Sequence, residues 1–195
     1  VKIIGLTGGI GMGKSTAAAA FRRARLQVFD ADAAVHRLQA KGGAALPAIA
    51  QAFPGVVIDG AVDRPRLRAA AIHDPTAMAT LERIIHPLVR AAERRFLHAA
   101  RHARARAAVL DIPLLLETHG DKRVDLVVVV SAPAAVQRAR VRARRRMTDA
   151  QITAIIARQM PDAEKRRRAD VVVRTGLSRY HAIRTLNRLI RSLRP

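Results

Sequence analysis

Lys2-Ile3-Ile4-Gly5-Leu6-Thr7-Gly8-Gly9-Ile10-Gly11-Met12-Gly13-Lys14-Ser15-Thr16 joins an apolar run to a glycine-rich turn and then to an alanine-rich segment suited to a helix. Residues 8–15 match G-x-x-x-x-G-K-[ST], with a strand before and a helix after, which is the setting that makes the pattern a Walker A loop. The glycines let successive N–H groups point inward as an anion nest, and the helix that follows adds its positive end. Gly8, Gly9, Ile10, Gly11, Met12, Gly13, Lys14, Ser15 and Thr16 are therefore expected to hold a nucleoside triphosphate. Lys14 would reach the β- and γ-phosphates and the Ser15 hydroxyl would hold Mg²⁺.

Beyond this stretch, apolar β-branched runs at 26–30, 107–112, 124–131 and 170–174 alternate with helical segments. That alternation predicts an α/β fold, a parallel-sheet P-loop nucleoside triphosphate hydrolase-like three-layer core. Several runs are apolar almost throughout, as strands buried on both faces must be. Two insertions interrupt the pattern. Residues 33–106 carry no strand of similar length and read as a helical acceptor-binding lobe, and residues 137–164, dense in arginine, read as a lid. Residues 1–32, 107–136 and 165–195 would form the nucleotide-binding core. Ile183, Leu186, Leu189, Ile190 and Leu193 lie on one stripe and predict a closing helix on the sheet.

Composition narrows the class. With 195 residues, 50% of them hydrophobic, the chain can bury one substantial core. Cysteine is absent, which excludes disulfides, thiolate metal sites and a cysteine nucleophile. No run is long and apolar enough to span a membrane, and a soluble cytoplasmic protein is expected. The formal charge of +21 suits either nucleic acid or the steering of polyphosphates into a cleft. One Tyr, four Phe and no Trp supply few stacking platforms, so no obligatory nucleic-acid partner is expected.

A Walker A loop serves switches, motors and kinases alike. No Asn-Lys-x-Asp guanine-reading segment occurs, which disfavours a GTPase. The second strand ends in Asp30-Ala31-Asp32, two carboxylates at the edge where open α/β sheets bind ligands. Asp32 is the first choice as the base that takes the acceptor's proton, and Asp30 could support Mg²⁺; the alternative for either is a helix cap. Asp111 reads equally as a metal-supporting acid and as a strand-end turn. Of Arg138, Arg140, Arg142, Arg144, Arg145 and Arg146, most should form a solvated face, while one or two could neutralise the transferring phosphoryl group.

These features, with Leu81-Glu82, His86-Pro87, Asp111-Ile112-Pro113-Leu114-Leu115, Glu117, Gln137-x-x-Arg140, Arg158-Gln159 and Ala169-Asp170, closely resemble the dephospho-CoA kinase family from end to end. The resemblance implies ATP- and Mg²⁺-dependent phosphorylation of the ribose 3′-hydroxyl of dephospho-CoA. It implies Asp32 as general base and Arg140 as the lid arginine on the phosphates. His86, Pro113, Leu114 and Leu115 would line the acceptor cleft with Asp32. The chain departs from the family pattern at Met12, at His36 and at Arg174-Thr175-Gly176, where relatives often carry Ser, Arg and an Asn-containing turn. Another P-loop metabolite or nucleoside monophosphate kinase is the alternative, with a basic nucleic-acid-binding P-loop NTPase behind it.

Overall fold

The computed structural model describes residues 1–71, 74–145 and 147–193. The chain begins with β1 (Lys2–Thr7), α1 (Lys14–Arg23) and β2 (Gln27–Asp30), followed by α2 (Ala31–Gln39), α3 (Leu46–Ala52), β3 (Val57–Ile58), β4 (Ala61–Val62), α4 (Arg64–Ala71) and α5 (Pro75–His102). It continues through β5 (Ala107–Asp111), a 3-10 turn (Gly120–Arg123), β6 (Leu126–Ser131), α6 (Ala134–Arg145), α7 (Asp149–Ala157), α8 (Asp162–Arg167), β7 (Val171–Arg174) and α9 (Arg179–Ser192). Contacts divide the chain into two units, Val1–Phe29 with Ala99–Pro195, and Asp30–His98.

In the first unit the five-stranded sheet has the order β2-β5-β1-β6-β7. β1 is central and runs parallel to both neighbours, with Leu6 beside Asp111 on one side and Thr7 beside Val129 on the other. The alternation of side chains along β6 sorts the layers. Val128 and Val130 join Ile4, Leu6, Phe21, Leu186 and Ile190 in a core shared with α1 and α9. Val127 and Val129 face the opposite way onto Leu115 and Leu116, flanked by Met160 and Ala169. The result is the three-layer α/β arrangement that the apolar runs predicted.

Two aspartates set the entry of strands into this sheet. Asp125 donates its N–H to Ile3 O at 2.8 Å and accepts Ile3 N–H on Oδ2 at 2.6 Å. Asp170 does the same with Val127, at 3.0 and 2.7 Å. Each carboxylate replaces a ladder acceptor where the strand starts, leaving fewer backbone groups unpaired. The closing helix α9 is capped by Ser178, whose Oγ accepts His181 N–H at 3.0 Å, and it buries Ala182, Leu186, Leu189 and Ile190.

Residues 137–164, expected as a lid, fall inside the first unit, and Gln137 lies within α6 rather than at its start. α7 opens on a capping box, Thr148 with Gln151, and buries Ile152. After α8, Arg168 donates to Asp121 Oδ2 at 2.7 Å, tying the helix end to the 3-10 turn. Burial pushes the Asp121 carboxyl up, but the hydrogen bond and charge of Arg168 outweigh it and hold the group below its ordinary value of 3.8. A depressed folded-state value contributes stability that is complete above the unfolded value and is lost as pH falls through the folded one. The melting-temperature gap between the wild type and Asp121→Asn should therefore be open at neutral pH and narrow only below about pH 4. Parallel melts across that range check it.

In the second unit, Ala45, Ile49, Phe53, Val56, Val62, Leu67 and Ile85 form a separate core. Helices dominate this unit, which spans Asp30–His98 where 33–106 was expected, and β3 and β4 make an antiparallel hairpin with Val57 opposite Val62. Asp59 (φ 50°) and Gly60 (φ 76°) form its turn, both left-handed as a two-residue hairpin connection requires.

Candidate active site

The phosphate loop rises from the carboxyl end of the central strand. Close approach explains its first glycine, because a Cβ at Gly8 would lie 2.6 Å from Val130 O. Gly13 caps α1 at φ 94° with no side-chain bond, a conformation that L side chains rarely adopt. The amides of Lys14 and Ser15 open the helix, where N–H groups lack intrahelical acceptors and the dipole favours an anion. Ser15 is exposed, so its hydroxyl is open to a ligand.

Lys14 Nζ lies 2.6 Å from Asp111 Oδ1, the lysine side chain 20% exposed and the aspartate 5%. Ile112 N donates to Leu6 O at 3.0 Å, fixing the end of β5 against β1 and so holding Asp111 beneath the loop. Asp111 is thus a counter-charge for the loop lysine and not merely a turn residue. Among the described residues no group of three or more His, Cys, Asp or Glu could cage a metal. The loop still fits Mg²⁺, which takes few protein ligands and completes its shell with phosphates and water. The Ser15 hydroxyl, next in sequence to the Lys14 that pairs with Asp111, is an oxygen ligand of that kind.

Thr175 braces the far side of the loop. Its Oγ1 donates to Met12 O at 2.6 Å and accepts from Arg140 Nη1 at 3.0 Å. Arg140 also donates to Thr175 O at 2.8 Å and reaches Gly11 O at 3.5 Å, so this arginine rests on backbone carbonyls beside the loop. A cavity of about 370 Å³ opens there, lined by Gly13, Thr16, Arg140, Thr175, Arg179 and Ala182. A cavity of about 450 Å³ lies behind Met12 and Gln137, and Lys14 and Ser15 line neither cavity. The smaller one reaches the start of α1 through Gly13 and Thr16, which the larger one does not, and is the better continuation of the loop.

The other arginines differ. Arg138 bonds Thr153 and Arg142 pairs with Asp149, whose carboxyl that contact holds below its usual range. Arg146 and the side chains of Arg144 and Arg145 lie outside the described residues. Of the residues expected at the acceptor cleft, Leu114 is 43% exposed, whereas Leu115 is wholly buried with Leu116, Val127 and Val129. Leu115 is therefore packing beneath the site and not a cleft contact. Pro113 is half-buried, and its carbonyl accepts Thr7 Oγ1 at 2.9 Å.

In the second unit, Asp30 caps α2, its Oδ1 accepting Ala33 N–H at 2.9 Å, so the helix-cap alternative is realised for this residue. Asp32 follows in the first turn of α2 with its side chain exposed. His86 is exposed on α5, directly before the in-helix Pro87. His36 accepts from Arg64 Nη1 at 3.3 Å on its Nδ1, an ordinary surface contact.

A family model described as CoaE, dephospho-CoA kinase, matches residues 2–178. The chain belongs to the dephospho-CoA kinase family. It is 61% identical over 166 residues to a dephospho-CoA kinase of Paramagnetospirillum magneticum, covering 85% of this chain and 78% of the relative. With the Gluconobacter oxydans dephospho-CoA kinase it shares 51% over 198 residues, covering 100% and 98% of the two chains. The crystal structure of TT1252 from Thermus thermophilus superposes with a TM-score of 0.86 at 32% identity, over 100% of this chain and 98% of that one. A dephospho-CoA kinase from Campylobacter jejuni, 19% identical, shares the fold with a TM-score of 0.69 over 98% and 97% of the chains.

Proposed function

We propose that this kinase transfers the γ-phosphoryl group of ATP to the ribose 3′-hydroxyl of dephospho-CoA, forming coenzyme A. The observation that carries the reading is the family match over residues 2–178, borne by a chain whose phosphate loop holds Lys14 against Asp111. In the reaction the hydroxyl oxygen bonds to the γ-phosphorus, the bond to the ADP oxygen breaks, and the hydroxyl proton passes to Asp32. Lys14 turns from Asp111 to the β- and γ-phosphates, exchanging one oxygen anion for others. Ser15, with support from Asp111, would hold Mg²⁺, which when bound would neutralise charge on those phosphates. Arg140, resting on Thr175, needs only to exchange carbonyl acceptors for phosphate oxygens to act on the same group.

The cavity beside Gly13, Thr16 and Thr175 suits the nucleoside part of ATP. Asp32, His86, Pro113 and the exposed Leu114 are assigned to the acceptor, with Leu115 supporting Leu114 from below. No helix among the described residues is long and apolar enough to cross a membrane, which fits a cytoplasmic enzyme, and the scarcity of aromatic side chains for base stacking supports a role without a nucleic-acid partner. ADP release with Mg²⁺ and ATP, compared across dephospho-CoA, AMP, adenosine and single-stranded DNA, tests the reading. Turnover with dephospho-CoA alone, and a 3′-phosphorylated product, is expected. Stimulation by another acceptor or by DNA would overturn it.

A further inference from the structure

Ile10 is the loop residue whose peptide is gripped from both sides. Its N–H donates to Gln159 Oε1 at 2.9 Å and its carbonyl accepts from Gln137 Nε2 at 2.9 Å. Gln137 is buried on α6, and Gln159 follows α7 just before Met160. Neither glutamine is supplied by the loop or by the strand beneath it, so the loop's shape depends on a distant part of the chain.

Gln159 is itself anchored. The next amide, Met160 N–H, donates to Glu117 Oε1 at 3.0 Å, and the same oxygen lies 2.7 Å from Lys165 Nζ. Lys165 is 1% exposed, and its Nζ also reaches Pro113 O at 3.5 Å. That carbonyl accepts Thr7 Oγ1, on the residue just before Gly8. The contacts close a ring: Thr7, Pro113, Lys165, Glu117, the Gln159-Met160 pair, Ile10, and back along the loop backbone to Thr7. A buried ion pair is often no more stabilising than apolar residues of similar size, because two charges must lose their water. Here the pair fixes a geometry that an apolar contact, being non-directional, would leave loose.

We infer that Gln159, set by the Glu117–Lys165 pair, is a positioning residue for the phosphate loop, holding the Ile10 amide away from the cradle and the loop in its ATP-binding shape. Gln137 is the other half of the clamp. The inference rests on the reading that residues 8–15 bind the phosphates of ATP. It predicts a defect confined to ATP.

The test uses the full chain with Gln159→Met, Lys165→Met and Lys165→Arg, measuring the Kd of Mg-ATP by calorimetry without acceptor, KM for each substrate, and the melting temperature. Removal of one neutral hydrogen bond should raise the ATP Kd of Gln159→Met roughly 3- to 10-fold. The KM for dephospho-CoA and the melting temperature should stay at wild-type values. Lys165→Met, which leaves the Glu117 carboxylate without this partner, should lower the melting temperature and show the same ATP-selective loss in the protein that remains folded, and Lys165→Arg should recover most of both. Wild-type ATP affinity in Gln159→Met would overturn the inference, as would parallel loss of both substrates in step with loss of folded protein. A wild-type chain that bound no ATP would instead remove the loop reading itself, before any variant was compared.

Discussion

Lys14→Met should lower turnover by about 10²–10³-fold, the usual cost of removing one preorganised donor from developing negative charge. The same change leaves Asp111, whose side chain is 5% exposed, without the 2.6 Å partner that neutralises it. Removing one member of a buried pair costs up to about 3–5 kcal/mol, and the partial exposure of Lys14 places this case at or below the low end. The two losses are separable. Adding Asp111→Asn removes the charge that Lys14 balanced, so the double variant should recover part of the melting temperature without recovering turnover. Recovery of both would mean that Lys14 serves the fold and not the transfer.

Asp32→Asn should lower kcat by about 10²–10⁴-fold, the range that general-base catalysis contributes. Asparagine keeps the size and polarity of the side chain but takes no proton. Asp32 is exposed in the first turn of α2, so the fold should tolerate the change and ATP affinity should stay as in the wild type. Asp30→Asn is the matched control, since asparagine is as good an N-cap as aspartate. Single-turnover assays beside ATP titrations measure both quantities. Near-normal turnover in Asp32→Asn would remove Asp32 as the base.

The strands and the phosphate loop were legible because their signals are local: apolar runs of strand length, and a motif complete within eight residues. The β3–β4 hairpin was overlooked, although Asp59-Gly60 between Val57-Ile58 and Ala61-Val62 carries its turn signature; two-residue strands leave no periodicity to find. Lys165 stands in a Lys-Arg-Arg-Arg run that reads as a solvated face, and only its place against Glu117 distinguishes it from its neighbours. The glutamine clamp was out of reach for another reason. Gln137 and Gln159 lie 127 and 149 positions from Ile10, and no local pattern reports a contact at that distance.

For the acidic residues, spacing named the candidates but could not assign them. Asp111 became a counter-ion for Lys14 once the register placed it beside Leu6, and Asp30 became a helix cap once the Ala33 amide was seen to reach it. Leu115 shows the converse. Its neighbour Leu114 is exposed and it is not, a difference set by which way the turn after β5 faces the sheet.

The central place of β1 also shapes how the molecule is made. Both its neighbours, β5 and β6, begin a hundred residues or more after it, so this strand leaves the ribosome well before it can be paired. At ordinary rates of synthesis that delay is on the order of 5–20 s. Through it the nascent segment carries an apolar strand with two open edges. Until β5 and β6 emerge, only α1, which follows it directly and packs on Ile4 and Leu6 in the finished fold, is at hand to cover one face, and the edges stay open.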